Sequence, residues 1–553
     1  MGRLGCAVAG LLACATSCTR VDGVRGIAGI VRDHVGPVAG AVVRVQTTEV
    51  VTTTAADGSF WLAGEGTGVT PSLTAWAPGY YIAGGEPVRL GTNGVVLNLV
   101  PHSDRDNPAY KWVSAFAAEG RRGACQECHS DPQSRTSALP FDEWRQDAHG
   151  RSGQNVRFTT MYRGTDILGR RSPLARYGYS RDYGRSPVRP DPTKPYFGPG
   201  YKLDFPSGAG NCAACHEPGA AINAPYDTDL ASVSAAAAEG ISCDFCHKVW
   251  DVKLDPATGR PHPNNPGVLS FEFRRPADNH QLFVGPLDDV APGEDSYSPL
   301  MRRSQFCAPC HVGTFWDTKV YNSFGEWLES PYSDPASGKA CQDCHMPRGL
   351  TDHFARLDKG GRRRNPSTIA SHRMLGASDE RFLRDAVTMT VSGAANGHTV
   401  VVDVVITNDK TGHHVPTDSP LRQLILVVDA SDGDGRPLPF LEGPTVPVWG
   451  GIGDPATGYY AGKPGKLYAK VLAELWTGVA PTGAYWNHTQ VVSDNRIPAL
   501  ASERSRYAFL APVDGPANVE VRLVFRRAFK ALMDQKGWDD PDIVMAEKTI
   551  SVR

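Results

Sequence analysis

Apolar and polar residues alternate in short β-branched runs near both ends of the chain and lose any period in the middle. Near the start the runs are residues 26–32, 41–46, 50–54, 59–62, 72–76 and 95–100, parted by Gly, Pro and Asp, with Asp57-Gly58 as a hairpin-type turn. They predict an all-β sandwich domain over residues 22–101. A second β-rich region is expected over residues 380–553. There, runs 386–391 and 399–406 turn near Asn396-Gly397, runs 424–429, 519–525 and 543–552 complete a sheet, and residues 437–498 form a loop-rich insertion. Between these regions, residues 102–375 carry long Pro-, Gly- and Arg-rich tracts such as 186–200 and 256–266, which no ordinary core of that size accommodates. Short helices are predicted there at 110–119, 141–149, 231–239 and around 323–330.

Five repeats of one pattern explain the middle region. They are Cys125-Gln126-Glu127-Cys128-His129, Cys212-Ala213-Ala214-Cys215-His216, Cys243-Asp244-Phe245-Cys246-His247, Cys307-Ala308-Pro309-Cys310-His311 and Cys341-Gln342-Asp343-Cys344-His345. C-x-x-C-H attaches haem c: two thiols a turn apart add to the two vinyl groups of one porphyrin, and the adjacent His gives its imidazole to the iron. With 13 Cys and 16 His in 553 residues, random placement yields on the order of 0.01 such patterns. A structural zinc site would need paired knuckles, a disulfide framework has no use for a His after every second Cys, and a thioredoxin-type pair is usually single. Five haem c groups, each with its iron, are therefore expected, held by these ten Cys with His129, His216, His247, His311 and His345 as iron ligands. The porphyrins supply the apolar bulk that the loop-rich tract lacks.

The three remaining Cys, Cys6, Cys14 and Cys18, all fall in the first 18 residues. Arg3 followed by a short apolar run reads as a secretory signal peptide over residues 1–18, in keeping with haem c attachment outside the cytoplasm. Leu11-Leu12-Ala13-Cys14 resembles a bacterial lipoprotein cleavage box, which favours Cys14 as the lipidation site; Ala15-Thr16-Ser17-Cys18 is a second match, and simple cleavage without a lipid is the remaining alternative. A periplasmic or cell-surface protein held to a membrane by an N-terminal lipid is the expectation.

The stretches Gly36-Pro37-Val38-Ala39-Gly40-Ala41-Val42-Val43, Thr54-Ala55-Ala56-Asp57-Gly58-Ser59-Phe60 and Ala77-Pro78-Gly79-Tyr80 resemble the carboxypeptidase regulatory-like domain, a small β-sandwich without an active site. That resemblance implies a spacer or docking module; a plain stalk serves equally. Glu239-Gly240-Ile241-Ser242-Cys243-Asp244-Phe245-Cys246-His247-Lys248-Val249, Phe141-Asp142-Glu143-Trp144-Arg145-Gln146-Asp147-Ala148-His149 and Cys341-Gln342-Asp343-Cys344-His345-Met346-Pro347 resemble multihaem cytochromes c. The superfamily is the one containing the tetrahaem cytochrome linked to hydroxylamine oxidation, hydroxylamine oxidoreductase and pentahaem nitrite reductase. Thr411-Gly412-His413-His414-Val415-Pro416-Thr417 and Ser493-Asp494-Asn495-Arg496-Ile497-Pro498 resemble the β-sandwich that follows the haem region in some members. The implied fold is multidomain: a loop-rich, haem-packed domain flanked by N- and C-terminal β-sandwich domains.

The ligand on the far face of each iron separates a carrier from a catalyst, because a second imidazole fills the iron and an open face admits substrate. The resemblance makes His149 a distal ligand. His372 follows the last motif as a distal His often does, and one of His413 and His414 reaches back from the β-rich region. His353, His280 and His102 are weaker candidates, and His34, His262, His398 and His488 read as surface or satisfied side chains. All five motifs end in His, whereas pentahaem nitrite reductase has one ending in Lys, and hydroxylamine oxidoreductase resembles an octahaem chain. No Ser-His-Asp set, phosphate-binding Gly loop or H-E-x-x-H pattern occurs, so no catalytic residue is assigned.

Charge adds little. The formal net charge is −2 with 57 Lys+Arg against 59 Asp+Glu, which gives no overall bias toward nucleic acid. Nine Arg between residues 151 and 189, and the knot Arg362-Arg363-Arg364, either stay solvated or pair with haem propionates. The expected function is electron transfer through five haems, with other cytochromes or a quinol-linked donor as redox partners. The alternative is oxidoreduction of a small nitrogen or sulfur oxyanion at one open haem. Haems on the motifs closest in sequence, Cys212 with Cys243 and Cys307 with Cys341, are expected to pack face to face.

Overall fold

The computed structural model describes residues 25–64, 68, 70–118, 123–134, 136–233, 239–277 and 280–553. The signal-peptide region with Cys6, Cys14 and Cys18, and most of the helix expected at 231–239, lie outside the described residues. The chain forms two compact units. One runs to His102 and takes in Leu287–Tyr297, and the other comprises Ser103–Pro286 and Ser298–Arg553.

In the first unit a three-stranded sheet, ordered Ser59–Ala63, Gly26–Arg32, Val95–Asn98, shares a core with a four-stranded sheet ordered Val51–Thr53, Val42–Val45, Ser72–Trp76, Ala83–Pro87. Ile27, Val31, Val43, Phe60, Leu62 and Leu73 are fully or almost fully buried between them. The segment Leu287–Tyr297 belongs to this unit through side-chain contacts. Thr47, in left-handed backbone (φ 69°), donates its N–H to Asp289 at 2.6 Å, and the Trp76 indole N–H donates to Ser296 at 3.1 Å.

In the second unit, residues 103–375 carry little regular structure. Four of the five motifs start or form one-turn helices, Cys125–His129, Ala213–His216, Cys243–Cys246 and Cys341–His345. One helical turn sets positions i, i+3 and i+4 on a single face, so both thiols and the imidazole reach the same side. The helix expected at 110–119 does not form over the described residues 110–118. The backbone N–H groups of Val113 and Ala115 donate instead to the carboxylates of Asp244 (2.7 Å) and Glu239 (2.9 Å), partners that hold the strand-like path in place of an i−4 carbonyl. The expected helix at 323–330 is observed as Ser323–Leu328.

The C-terminal strands build two four-stranded sheets. One is ordered Thr388–Asn396, Thr399–Thr407, Ser502–Leu510, Phe440–Glu442, and the other Gly465–Tyr468, Gln423–Ser431, Ala517–Arg526, Ile543–Val552. Val400, Val402, Val404 and Ile406 from the first meet Leu424, Leu426, Val519, Val521 and Leu523 from the second in one core. Ile425 and Val427 face the other way and are covered by Val446, Tyr460, Leu467 and Val471. The insertion over 437–498 is thus less irregular than expected: it supplies four strands and a second apolar layer.

Helix Lys530–Lys536 ties this region to residues 103–375. Leu532 and Met533 pack with Met161 of helix Val156–Arg163. Lys536, fully buried, donates to the carbonyls of Thr160 (3.2 Å), Thr165 (3.0 Å) and Pro199 (2.6 Å). Lys536→Met removes these donors at nearly constant volume. It is expected to lower stability by about 2 kcal/mol, since the carbonyls of Thr165 and Pro199 are stranded at a cost on the order of 1 kcal/mol each, while that of Thr160 keeps the N–H groups of Gly164 and Thr165. Denaturant titration of the variant against the parent checks this, with an unchanged midpoint as the contrary result.

Candidate haem sites

All ten motif Cys are free and half-buried. Burial pushes the thiols of Cys212 and Cys246 up to about 12. The thiols meet across motifs in an order that sequence spacing does not give. Cys125 lies within hydrogen-bonding reach of Cys243, Cys215 of Cys310, and Cys307 of Cys341. Cys246 is close enough to Cys307 and Cys310 to affect both. The thiols of Cys307 and Cys341 are thus neighbours, while Cys243 meets Cys125 rather than Cys212. The fourth motif stands at a junction that touches the second, third and fifth.

The motif imidazoles are oriented from behind. His129 Nδ1 bonds to the carbonyl of Phe354 at 2.7 Å, His247 Nδ1 to Val284 at 2.8 Å and His345 Nδ1 to Leu375 at 2.5 Å. A carbonyl takes only the Nδ1–H tautomer, which leaves the Nε2 lone pair for a metal. His311 Nδ1 faces the Asp418 carboxylate at 3.7 Å. Burial opposes its charged form, yet Asp418 leaves His311 raised above the ordinary value, while burial lowers His129, His216, His247 and His345.

Of the four candidate distal imidazoles, His149 and His413 stand opposite motif imidazoles. His149 and His311 have ring centres 6.2 Å apart, and so do His413 and His345. Two imidazoles bonded from opposite sides to one metal, each at about 2.0–2.1 Å, put their ring centres roughly 6 Å apart. Among the described residues no three His, Cys, Asp or Glu side chains gather as a protein-only metal cage. Two pairs of imidazoles form instead, each pair the number taken by an iron whose other four ligands are porphyrin nitrogens. The residues present fit haem.

His149 is held by its own neighbour: Asp147 accepts from both its backbone N–H (2.8 Å) and its Nδ1 (2.7 Å). The preceding helix Pro140–Trp144 is a clamp. Asp142 accepts from Ser130 Oγ (2.6 Å) and Asp131 N (2.7 Å), directly after the first motif. Glu143 accepts from Ser371 Oγ (2.9 Å) and His372 N (2.7 Å), and the Trp144 indole donates to the Ile241 carbonyl (2.8 Å) just before the third motif. His372 is pushed down to about 3, by burial first and then by His247 and His129, which lie near it.

The His413-His414 loop is fixed from three sides. Asn408 Nδ2 donates to the His413 carbonyl (2.8 Å), and His413 Nδ1 bonds to the His414 carbonyl (2.9 Å). Val415 and Ile497 exchange backbone hydrogen bonds, so the two stretches singled out in the sequence meet here. Buried Glu326 accepts from His414 N (3.2 Å), Thr417 Oγ1 (2.5 Å) and Arg496 Nη1 (2.7 Å). His413 faces His345. His414, also expected as a possible ligand, keeps its Nδ1 3.9 Å from Glu326 instead.

The second motif differs. The Phe158 ring stacks on His216 at 3.6 Å and 7°, and no imidazole ring contacts His216 among the described residues. Tyr485 and Tyr321 lie near Cys212 and Cys215, and Asp418 near His216. Arg422, on the same turn as Asp418, donates Nη1 to the Thr417 carbonyl at 3.0 Å. His353 pairs with Asp352 at 2.6 Å, and His488 lies against Trp316, Tyr183 and Trp476. In the Arg-rich stretch Arg157 pairs with Asp540 and Arg170 with Asp166, while Arg163, Arg171, Arg176 and Arg189 are exposed.

No family model matches the chain and no curated protein matches it. Among solved structures it is similar to a penta-haem cytochrome c552 from Thermochromatium tepidum, with a TM-score of 0.51 and 18% identity over 77% of this chain and 97% of that one. This likeness shows a shared multihaem cytochrome fold. The PapD-like domain 7 of human CEP192 (7% identity, 30% of this chain and 84% of that one) scores 0.13. The Fcho1 Mu homology domain from Danio rerio (9% identity, 31% and 50%) scores 0.12. Both scores are too low to bear on the fold.

Proposed function

We propose that the chain is an exported c-type cytochrome that carries electrons through five covalently bound haems. The observation that carries this reading is the pairing of His149 with His311 and of His413 with His345, each pair spaced for one iron. Irons filled on both faces exchange electrons without binding substrate. The thiol contacts between motifs support a continuous path, since haems attached there would lie close to one another. The haem would be held at Cys125/Cys128, Cys212/Cys215, Cys243/Cys246, Cys307/Cys310 and Cys341/Cys344, and it supplies the one-electron redox chemistry. The protein orients the imidazoles and excludes water around them. Lipidation at Cys14 would keep the carrier at a membrane outside the cytoplasm, in reach of other cytochromes or a quinol-linked donor. Loss of labelled fatty acid in Cys14→Ser tests the anchor.

A second reading is favoured by one site. The only ring against His216 among the described residues is Phe158, with Tyr321 near the Cys215 thiol and Tyr485 near that of Cys212. An iron open there would take a small nitrogen or sulfur oxyanion. Low-temperature electron paramagnetic resonance of the oxidised, fully haem-loaded protein separates the two. Five low-spin irons unmoved by nitrite or hydroxylamine are expected of a carrier. A high-spin iron that shifts with either compound, and disappears on replacement of Cys212 and Cys215, would make this protein an oxidoreductase.

A further inference from the structure

We infer that the haem on Cys307 and Cys310 has the lowest midpoint potential of the set, and that Asp147 and Asp418 are the positioning residues that lower it. This rests on the proposed carrier reading and adds an internal energy profile to it. Both imidazoles assigned to this iron are backed by carboxylates. His149 Nδ1 lies 2.7 Å from Asp147 Oδ1, and His311 Nδ1 lies 3.7 Å from Asp418 Oδ2. The adjacent haem, on Cys341 and Cys344, has the opposite arrangement: His345 and His413 both bond to neutral carbonyls, at 2.5 and 2.9 Å. His129 and His247 are likewise backed by carbonyls.

Asp147, at hydrogen-bond distance, draws the His149 Nδ1 proton toward itself and gives that imidazole imidazolate character, while Asp418 at 3.7 Å acts on His311 as a nearby negative charge. The ligand becomes a stronger donor, and the ferric state, which carries one more positive charge than the ferrous, is favoured. Two negative charges in a low-dielectric interior act in the same direction. Neither carboxylate is loose. Asp147 also accepts the His149 N–H at 2.8 Å, and its side chain is 7% exposed. Asp418 sits in left-handed backbone (φ 65°) with Oδ1 bonded by Ser323 Oγ at 3.1 Å. Arg422 offsets part of the Asp418 charge, and among the described residues no Lys or Arg forms an ion pair with Asp147.

Position gives the low potential a consequence. The fourth motif touches the second and fifth through Cys215 and Cys341 and lies beside Cys246 of the third. An electron passing between these branches must cross the iron that is hardest to reduce. That iron stays oxidised until its neighbours are filled, so it acts as a barrier at the crossroads.

The test is a spectroelectrochemical titration of the haem-loaded protein, followed optically and by electron paramagnetic resonance, for the parent, D147N, D418N and the double variant. Haem content and spin state are read first; fewer than five low-spin haems in the parent would count against the carrier reading, not against this inference alone. With that met, each single variant is expected to raise the same lowest midpoint and the double variant to raise it further; D147N leaves the other four in place, whereas D418N also raises the midpoint of the haem on Cys212 and Cys215, since Asp418 lies near His216. The moved signal is assigned by its change in H149A. D418E is expected to restore the parent value. If D418N fails to take up haem, D147N carries the test alone, since Asp147 lies outside every attachment motif. Unmoved midpoints in loaded D147N, or a lowest midpoint belonging to another haem, overturn the inference.

Discussion

Glu326→Ala is expected to lower the stability of the second unit by about 3–5 kcal/mol and to turn one iron high-spin. The carboxylate is 3% exposed and its partner Arg496 is 5% exposed. Removing one member of a buried ion pair leaves the other uncompensated, which costs on the order of 3–5 kcal/mol. Arg496 keeps its fork to Asp494 (2.8 Å from both Nε and Nη2), which sets the loss at the lower end of that range. Glu326 also accepts from His414 N and Thr417 Oγ1, so the variant frees the loop that aims His413 at His345. Denaturant titration reads the first effect and electron paramagnetic resonance of the haem-loaded protein the second. Glu326→Gln, which still accepts from Thr417, should lose stability but keep the low-spin iron. If Glu326→Ala unfolds no more easily than the parent, the buried network does not hold this loop.

What was legible in the sequence follows a physical rule. Strands with one buried face, such as Thr399–Thr407, write their inward positions as Val400, Val402, Val404 and Ile406, and the period is plain. Ser502–Leu510 pairs with that same strand but turns Glu503, Arg504 and Arg506 into a mixed pattern in which only Tyr507 and Phe509 mark the inward face as apolar, so it was not expected. Ala83–Pro87 is held by its neighbour Ser72–Trp76 rather than by propensity. The motif imidazoles could be read from a five-residue pattern. Their anchors could not, because the partners of His129, His247 and His345 are backbone carbonyls, which every residue possesses. Nor could spacing foresee that Cys243 would meet Cys125, a contact made by the clamp of Asp142, Glu143 and Trp144 on three distant segments.

The choice between His413 and His414 can be decided by one pair of variants. His413→Ala is expected to leave haem attachment at Cys341 and Cys344 intact, because the thioethers and His345 do not depend on it, and to convert one iron from low-spin to high-spin. Carbon monoxide should then bind that iron in the reduced protein. His414→Ala should leave the spectrum unchanged, since that ring faces Glu326 at 3.9 Å while its neighbour's ring faces His345 at 6.2 Å. His149→Ala should do to the iron beside His311 what His413→Ala does to the iron beside His345, and the two variants combined should give two high-spin irons, because the pairs share no ligand. A spectrum in which His414→Ala opens an iron and His413→Ala does not would reverse the assignment. An unchanged spectrum in both would place the distal ligand of that haem elsewhere. The geometry favours His413 for a reason of local chemistry: its Nδ1 is already bonded to the His414 carbonyl at 2.9 Å, so only Nε2 is free to face a metal.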